Sequence, residues 1–153
     1  MSKFLKECGS CTECCKGWLI GEALGVKFSP YNPCKFILNN KCSIYNIRPN
    51  VCKSFKCEWL DNLEMPNDLK PSNNNTIVIP NFFKTSKYLL SLNSNITINS
   101  NLLTWLLNQY VTYNTFLVYY VNGYRQTKGS EEFIDYVNAK YPKYYNVIHY
   151  KNN

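Results

Sequence analysis

The chain has 153 residues, 45% of them hydrophobic and 18% charged, with a net charge of +7. That is the composition of a globular chain able to bury its own core, and it excludes a disordered or low-complexity one. No apolar run is long enough to span a bilayer, and MSKFLKECGS lacks the apolar stretch of a secretory leader. A soluble, cytoplasmic protein is therefore expected, in a compartment where eight cysteines point to metal or redox chemistry and away from disulfides.

Those eight cysteines, at 8, 11, 14, 15, 34, 42, 52 and 57, all lie in the first 57 residues. Residues 2–16 read as a short helix or a ligand loop. Residues 18–28 read as an irregular extended segment broken by Gly21 and Gly25. CKFIL and KCSIY form two short strands around Asn39-Asn40, which places Cys34 and Cys42 on either side of the turn. Arg48-Pro49 opens a helix running to about Trp59, because proline is preorganised for a first helical turn. The polar run MPNDLKPSNNN ends this cysteine-rich module, so the expected organisation is a module at 1–60, a connector at 61–75 and a second part at 76–150.

In that second part, TIVIP at 76–80 is a strand, with weaker strands at 88–92 and 96–98. Leu102, Leu103, Leu106, Leu107, Tyr110 and Val111 recur at helical spacing opposite Asn101, Thr104, Asn108 and Thr112, which predicts an amphipathic helix over 101–113. Residues 116–121 and 124–127 form a hairpin about Asn122-Gly123, the pair that a type I′ turn favours. Ser130 caps a last helix whose Phe133, Ile134, Val137 and Tyr141 share one face. The fold class is α+β, a small metal-binding module followed by an α+β part with a hairpin and two helices.

CGSCTECC, residues 8–15, carries four sulfurs in eight positions. On an α-helix Cys8, Cys11 and Cys15 would fall within about 60° of one another, and Cys14 about 60° further on. In a loop, C-x2-C-x2-C would instead wrap an iron–sulfur cubane with a fourth ligand from elsewhere. Zinc sites usually draw pairs of ligands from two knuckles, and the adjacent cysteine keeps zinc in play. Cys34, Cys42, Cys52 and Cys57 could complete the first site, form their own, or share metals with it. A set of soft sulfurs with no nearby histidine excludes magnesium and calcium.

Charge fits the same picture. Residues 1–60 hold nine Lys/Arg against four Asp/Glu, a balance of +5. Four thiolates around zinc, or around a [4Fe–4S]²⁺ core, carry −2, so two such sites would bring this half near neutrality. The lysines are then partners of the sulfur charge, and nucleic acid is a minor alternative.

CGSCTECC, PCKFI and CSIYNIRPNVCKSFKC together resemble the YkgJ-type cysteine-cluster family, the zinc- or iron-chelating CxxCxxCC domain. The match in order and spacing runs from Cys8 to Cys57. By resemblance, Cys8, Cys11, Cys14, Cys15, Cys34, Cys42, Cys52 and Cys57 are the metal-binding positions, with zinc or iron, including a [4Fe–4S] cluster, as the cofactor. A family relative, the flagellin lysine methylase, joins such a cluster to methyl transfer. This chain has no G-x-G cofactor loop, so the resemblance does not carry that activity here.

Arg48 lies inside the matched motif and could donate to thiolate sulfurs without binding metal itself. Trp18 and Trp59 read as core packing, and His149, the one histidine, as neither ligand nor base. No Ser/His/Asp or Cys/His set and no phosphate-binding loop can be assembled, so no catalytic residue or activity is assigned. The expected function is a metal-binding protein whose partner is its metal or cluster, with room for a protein partner and no membrane. The rival readings are an iron–sulfur redox or group-transfer enzyme component, and a nucleic-acid-binding protein with a structural metal.

Overall fold

From residue 76 onward near-continuous apolar runs such as TIVIP and FLVYYV, which suit strands buried on both faces, flank a stretch of helical spacing, and the backbone follows that pattern. The structure, a computed structural model, describes residues 6–9, 11–16, 21–28, 32–39, 41–93 and 97–144. Four strands, β5 (Thr76–Phe83), β6 (Ser86–Asn93), β7 (Phe116–Val121) and β8 (Tyr124–Lys128), form one sheet in the order β5-β6-β7-β8. Both hairpins are antiparallel, and β6 and β7 run parallel, with Leu89 opposite Leu117. A parallel pair needs a crossover, which α4 (Ser100–Tyr113) supplies.

Asn99 starts α4 by accepting from the backbone N–H of Asn101 and Leu102, and Asn114, at φ 53°, ends it in the left-handed conformation. Ser130 caps α5 (Glu131–Lys140) by accepting from the N–H of Phe133. Successive strand residues face opposite sides, so the sheet is covered twice. Val78, Leu89, Leu117 and Tyr119 pack under Leu102 and Leu106 of α4. Tyr88, Leu90 and Val118 pack under Phe133 and Val137 of α5.

Helix 101–113 and the 116–127 hairpin thus stand as expected, with Asn122 and Gly123 both at positive φ. Ile134 differs from its expected place on the buried face: it is 36% exposed, because the two core positions Phe133 and Val137 already span the contact. Val111 is exposed at 80% near the end of α4. Thr97 and Ile98 belong to no strand, so the second of the two weaker strands is not formed there; Ile96 lies outside the described residues.

The cysteine-rich part is built from turns. β1 (Gly21–Ala23) and β2 (Val26–Phe28) make a hairpin around Leu24-Gly25, both at positive φ as a type I′ turn requires. β3 (Ile37–Leu38) and β4 (Lys41–Cys42) form the short hairpin expected around Asn39. The expected helix from Pro49 to Trp59 is instead two pieces, α1 (Asn50–Ser54) and α2 (Glu58–Asp61), with extended backbone at Phe55 and Cys57. On one continuous helix, Cys52 and Cys57 would point about 140° apart, and the break lets both turn inward.

The run 61–75 is not an open connector in form. It holds a 3-10 turn at Asn67–Leu69 and the short helix α3 (Pro71–Asn74), and Met65, Leu69 and Pro71 are buried. α2, α3 and the 3-10 turn Glu13–Lys16 all lie against β5. That edge of the sheet is where the cysteine-rich part sits. The fold is mixed α+β. Among the described residues no helix is long and apolar enough to cross a membrane.

Candidate metal centre

All eight cysteines line one cavity of about 120 Å³. They reach it from four places: the loop and turn of residues 8–15, the segment before β3 and β4, α1, and the residue preceding α2. Ala23, Phe28, Trp59, Pro71 and Ile77 supply apolar wall between the sulfurs. None of the eight forms a disulfide. Among the described residues no three Cys, His, Asp or Glu side chains are arranged to hold a metal ion. The sulfurs are gathered without being closed on a point.

CGSCTECC is not one helix. The N–H of Cys11 donates to the Cys8 carbonyl at 2.8 Å, with Gly9 between them at φ +54°, where a β-carbon is disfavoured. A 3-10 turn then follows at Glu13–Lys16. The loop alternative is the one whose local geometry is present. The Cys14 and Cys15 sulfurs stand 3.8 Å apart in hydrogen-bond contact.

Crowding sets the protonation of these thiols. Its hydrogen bond to Cys15, and then burial, hold Cys14 protonated far above the ordinary thiol range. The same bond brings Cys15 down to about 7 against the effect of burial, helped by the Arg48 guanidinium. Burial followed by the charges of Cys11 and Cys8 pushes Cys57 up to about 11, although backbone N–H groups of Leu60 and Trp59 oppose the shift. Burial also raises Cys8, Cys34 and Cys52, with neighbouring sulfurs adding to it. Thiolates packed this closely repel one another, and a cation among them reverses that balance.

Cationic side chains lie near the sulfurs, with Arg48 in the cavity wall itself. Arg48 stacks its guanidinium 3.9 Å from the centre of the Tyr45 ring, and its buried Nε has no hydrogen-bond partner among the described residues. Its charge favours the thiolate form of Cys8, Cys15 and Cys52. Lys6 and Lys70 lie 5.0 Å and 5.2 Å from the Trp59 ring centre, and Lys70 also favours the Cys8 thiolate. Lys6 donates to the carbonyls of Asn62 at 2.7 Å and Met65 at 2.5 Å.

No protein-family model, no curated protein and no solved structure matches this chain. The chemistry of the donor set therefore carries the comparison with a metal. Among the described side chains that line the cavity, sulfur is the prevailing ligand type, with the Tyr45 phenol beside it, and a soft, thiophilic ion suits the sulfurs, whether zinc or the iron of an iron–sulfur cluster. Arg48 with an unspent donor beside the sulfurs suits a site that becomes anionic. By composition and charge the residues fit such a group.

Every expected ligand position and Arg48 thus border one cavity. Trp18 and His149 lie outside the described residues. Trp59 is buried in the core, as expected, and also lines the cavity. Tyr45 falls inside the matched stretch CSIYNIRPNVCKSFKC, whereas Lys6 and Lys70 carry no spacing signature, and only the lysine excess of residues 1–60 hinted at a role for Lys6.

Proposed function

We propose that this is a cytoplasmic metal-binding protein of the cysteine-cluster kind that its spacing resembles. Cys8, Cys11, Cys14, Cys15, Cys34, Cys42, Cys52 and Cys57 hold a thiophilic metal, zinc or iron, in the cavity beside β5. The observation that carries this reading is the convergence of all eight thiols on one cavity with no disulfide among them. A bound metal supplies the positive charge that lets crowded thiols ionise together. The chain's own part is to gather the sulfurs, exclude bulk water with Trp59 and Phe28, and place Arg48 where its Nε can donate to sulfur.

Metal and fold are coupled in this reading. Binding deprotonates the thiols and draws the loops together, so part of the binding free energy is folding free energy of residues 6–57. Lys6, Arg48 and Lys70 are turned toward Trp59, Tyr45 and the sulfurs, which supports their role as counter-charges over one as a nucleic-acid surface.

Anaerobic purification with elemental analysis and a visible spectrum tests the proposal. Zinc in a colourless protein, or iron with acid-labile sulfide in a brown one, is the expected result. A metal-free protein with eight freely alkylated thiols overturns it.

A further inference from the structure

Resting on that reading, we infer that Cys14 and Cys15 form an oxidation switch on the metal site. Hydrogen peroxide closes a disulfide between the two neighbours, the metal loses both sulfurs, and a dithiol reductant restores them.

Geometry sets this pair apart. The two sulfurs stand 3.8 Å apart, and among the described residues no other two thiols are in hydrogen-bond contact. Adjacent side chains on a strand point to opposite faces, and on an α-helix they diverge by about 100°. Here the 3-10 turn Glu13–Lys16, closed by the N–H of Cys15 donating to the Thr12 carbonyl at 3.0 Å, leaves both thiols on one side. Both residues are half-buried in the cavity wall, so a molecule as small as a peroxide can meet them. Cys34, Cys42, Cys52 and Cys57 come from separate segments, and a disulfide to any of them must first close a loop. Between neighbours, closure needs only rotation of two side chains and a turn of the peptide that joins them.

Adjacency also makes the bond reversible. Neighbouring α-carbons are about 3.8 Å apart, below the roughly 4.4–6.8 Å across which most disulfides form. A strained disulfide is the more easily reduced one, which suits a switch and not a permanent cross-link. The effect also spreads beyond the pair. The Cys15 carbonyl accepts from the N–H of Cys34 at 3.1 Å, the Cys34 carbonyl accepts from Ile37, and Ile37 is the strand partner of Cys42. Turning the peptide between Cys14 and Cys15 therefore disturbs two further sulfurs besides the two it withdraws.

The step balances between the pair and its oxidant. The S–S bond forms as the O–O bond of hydrogen peroxide breaks, and two electrons pass from the sulfurs to the two oxygens. These leave as two waters, with the two thiol protons or, where a metal holds thiolates, with two protons from solvent. A zinc ion departs with its charge unchanged.

Peroxide treatment of the full-length, zinc-loaded chain tests the switch. Released zinc is followed with a chromogenic chelator, free thiols are then alkylated, and the products are mapped by mass spectrometry. Cleavage after Lys6 and Lys16 isolates residues 7–16, with Cys8, Cys11, Cys14 and Cys15 in one peptide. That peptide is expected to lack two hydrogens, to carry label on Cys8 and Cys11, and to resist backbone fragmentation between Cys14 and Cys15. Its appearance should keep step with zinc release, and a dithiol should reverse both. In the reduced, metal-free chain, Cys14→Ser and Cys15→Ser should each slow the first disulfide at least about tenfold, because every remaining pair must close a loop.

A first disulfide at any other pair, or zinc lost while Cys14 and Cys15 still take the label, overturns the switch and leaves the metal-binding proposal standing. A chain that takes up neither zinc nor iron removes both. The mapping of wild type needs no variant, and its metal-free arm decides the pairing whichever metal the site holds.

Discussion

Two regions of this molecule solve the problem of holding a chain together in opposite ways. Among the buried apolar side chains of the described residues, only Ala23 and Phe28 come before residue 59, whereas the sheet and its helices contribute two clusters anchored by Leu102, Leu106, Phe133 and Val137. Burying such side chains stabilises a sheet by about 1.5–3 kcal/mol apiece. Residues 6–57 have turns, two short hairpins and short helices, which are marginal alone in water. What they have in place of a core is sulfur. On the proposed reading, a metal held by those sulfurs would do for this region what the apolar core does for the sheet.

Removing the metal is the hardest blow to that contrast. With a chelator under reducing conditions, amide exchange over residues 6–57 is expected to accelerate by orders of magnitude, while β5–β8 and α4 keep their protection. Structural zinc contributes about 10–16 kcal/mol of apparent folding free energy in small peptides, so the effect should exceed that of any single substitution. Equal protection of both regions in loaded and stripped protein would show that the loops fold without it.

The reverse blow is Phe133→Ala. Phe133 is fully buried, with ring centres of Phe116 and Tyr88 at 4.9 Å and 5.1 Å. Its loss is expected to cost about 3–5 kcal/mol in urea unfolding of the sheet. Metal stoichiometry should not change. If the variant loses metal in proportion to stability, the two regions are one cooperative unit and the comparison fails.

How far the sequence discloses each region follows the same divide. Helix 101–113, the Asn122-Gly123 turn and the Ser130 cap are legible because local periodicity and turn chemistry agree with the tertiary packing. β5 runs on past Pro80 to Phe83, three residues beyond the run that reads as strand, because an edge strand tolerates proline. Met65 and Leu69 are hidden in a polar run, and only their place in the cluster with Trp59, Val78 and Leu102 makes them core. In the cysteine region the grouping of eight sulfurs is legible from composition alone. The break between α1 and α2 is not, since the demand that Cys52 and Cys57 face one cavity overrides the local helical signal. Lys6 and Lys70 against Trp59 are equally silent, because contacts between residues so far apart in sequence leave no local period.

Glu58 and Lys87 mark the joint between the regions. The Glu58 carboxylate on α2 is 1% exposed, accepts from Lys87 of β6 at 2.8 Å and from Asn62 at 2.9 Å, and has its second oxygen unpartnered among the described residues. Lys87→Met leaves that buried carboxylate without its cation. A loss of about 1–3 kcal/mol is expected, and Lys87→Arg should recover most of it. The sharper readout is metal affinity: Cys57 precedes Glu58, so loosening this joint should weaken binding at Cys57 more than at Cys34. Unchanged affinity would mean that the sheet supports the cysteine region only through apolar contact.

The smallest effect concerns the sheet alone and isolates it by pH. Tyr88 is wholly buried, and burial, then its 2.8 Å hydrogen bond with the Tyr141 hydroxyl, hold its phenol well above the ordinary tyrosine range. The folded chain therefore keeps this proton at pH values where the unfolded chain has released it. Stability falls with pH wherever the folded state binds more protons, so this contribution is intact below about pH 10 and is lost as pH rises beyond it. Tyr88→Phe cannot titrate. Its unfolding free energy should fall about 0.5–1.5 kcal/mol below wild type near neutrality, for the lost hydroxyl pair, and the gap should narrow or reverse above pH 10. Urea unfolding of both proteins from pH 8 to 11.5 reads the difference directly. Parallel alkaline slopes would place the loss of stability elsewhere, at another group such as the buried Tyr119 phenol.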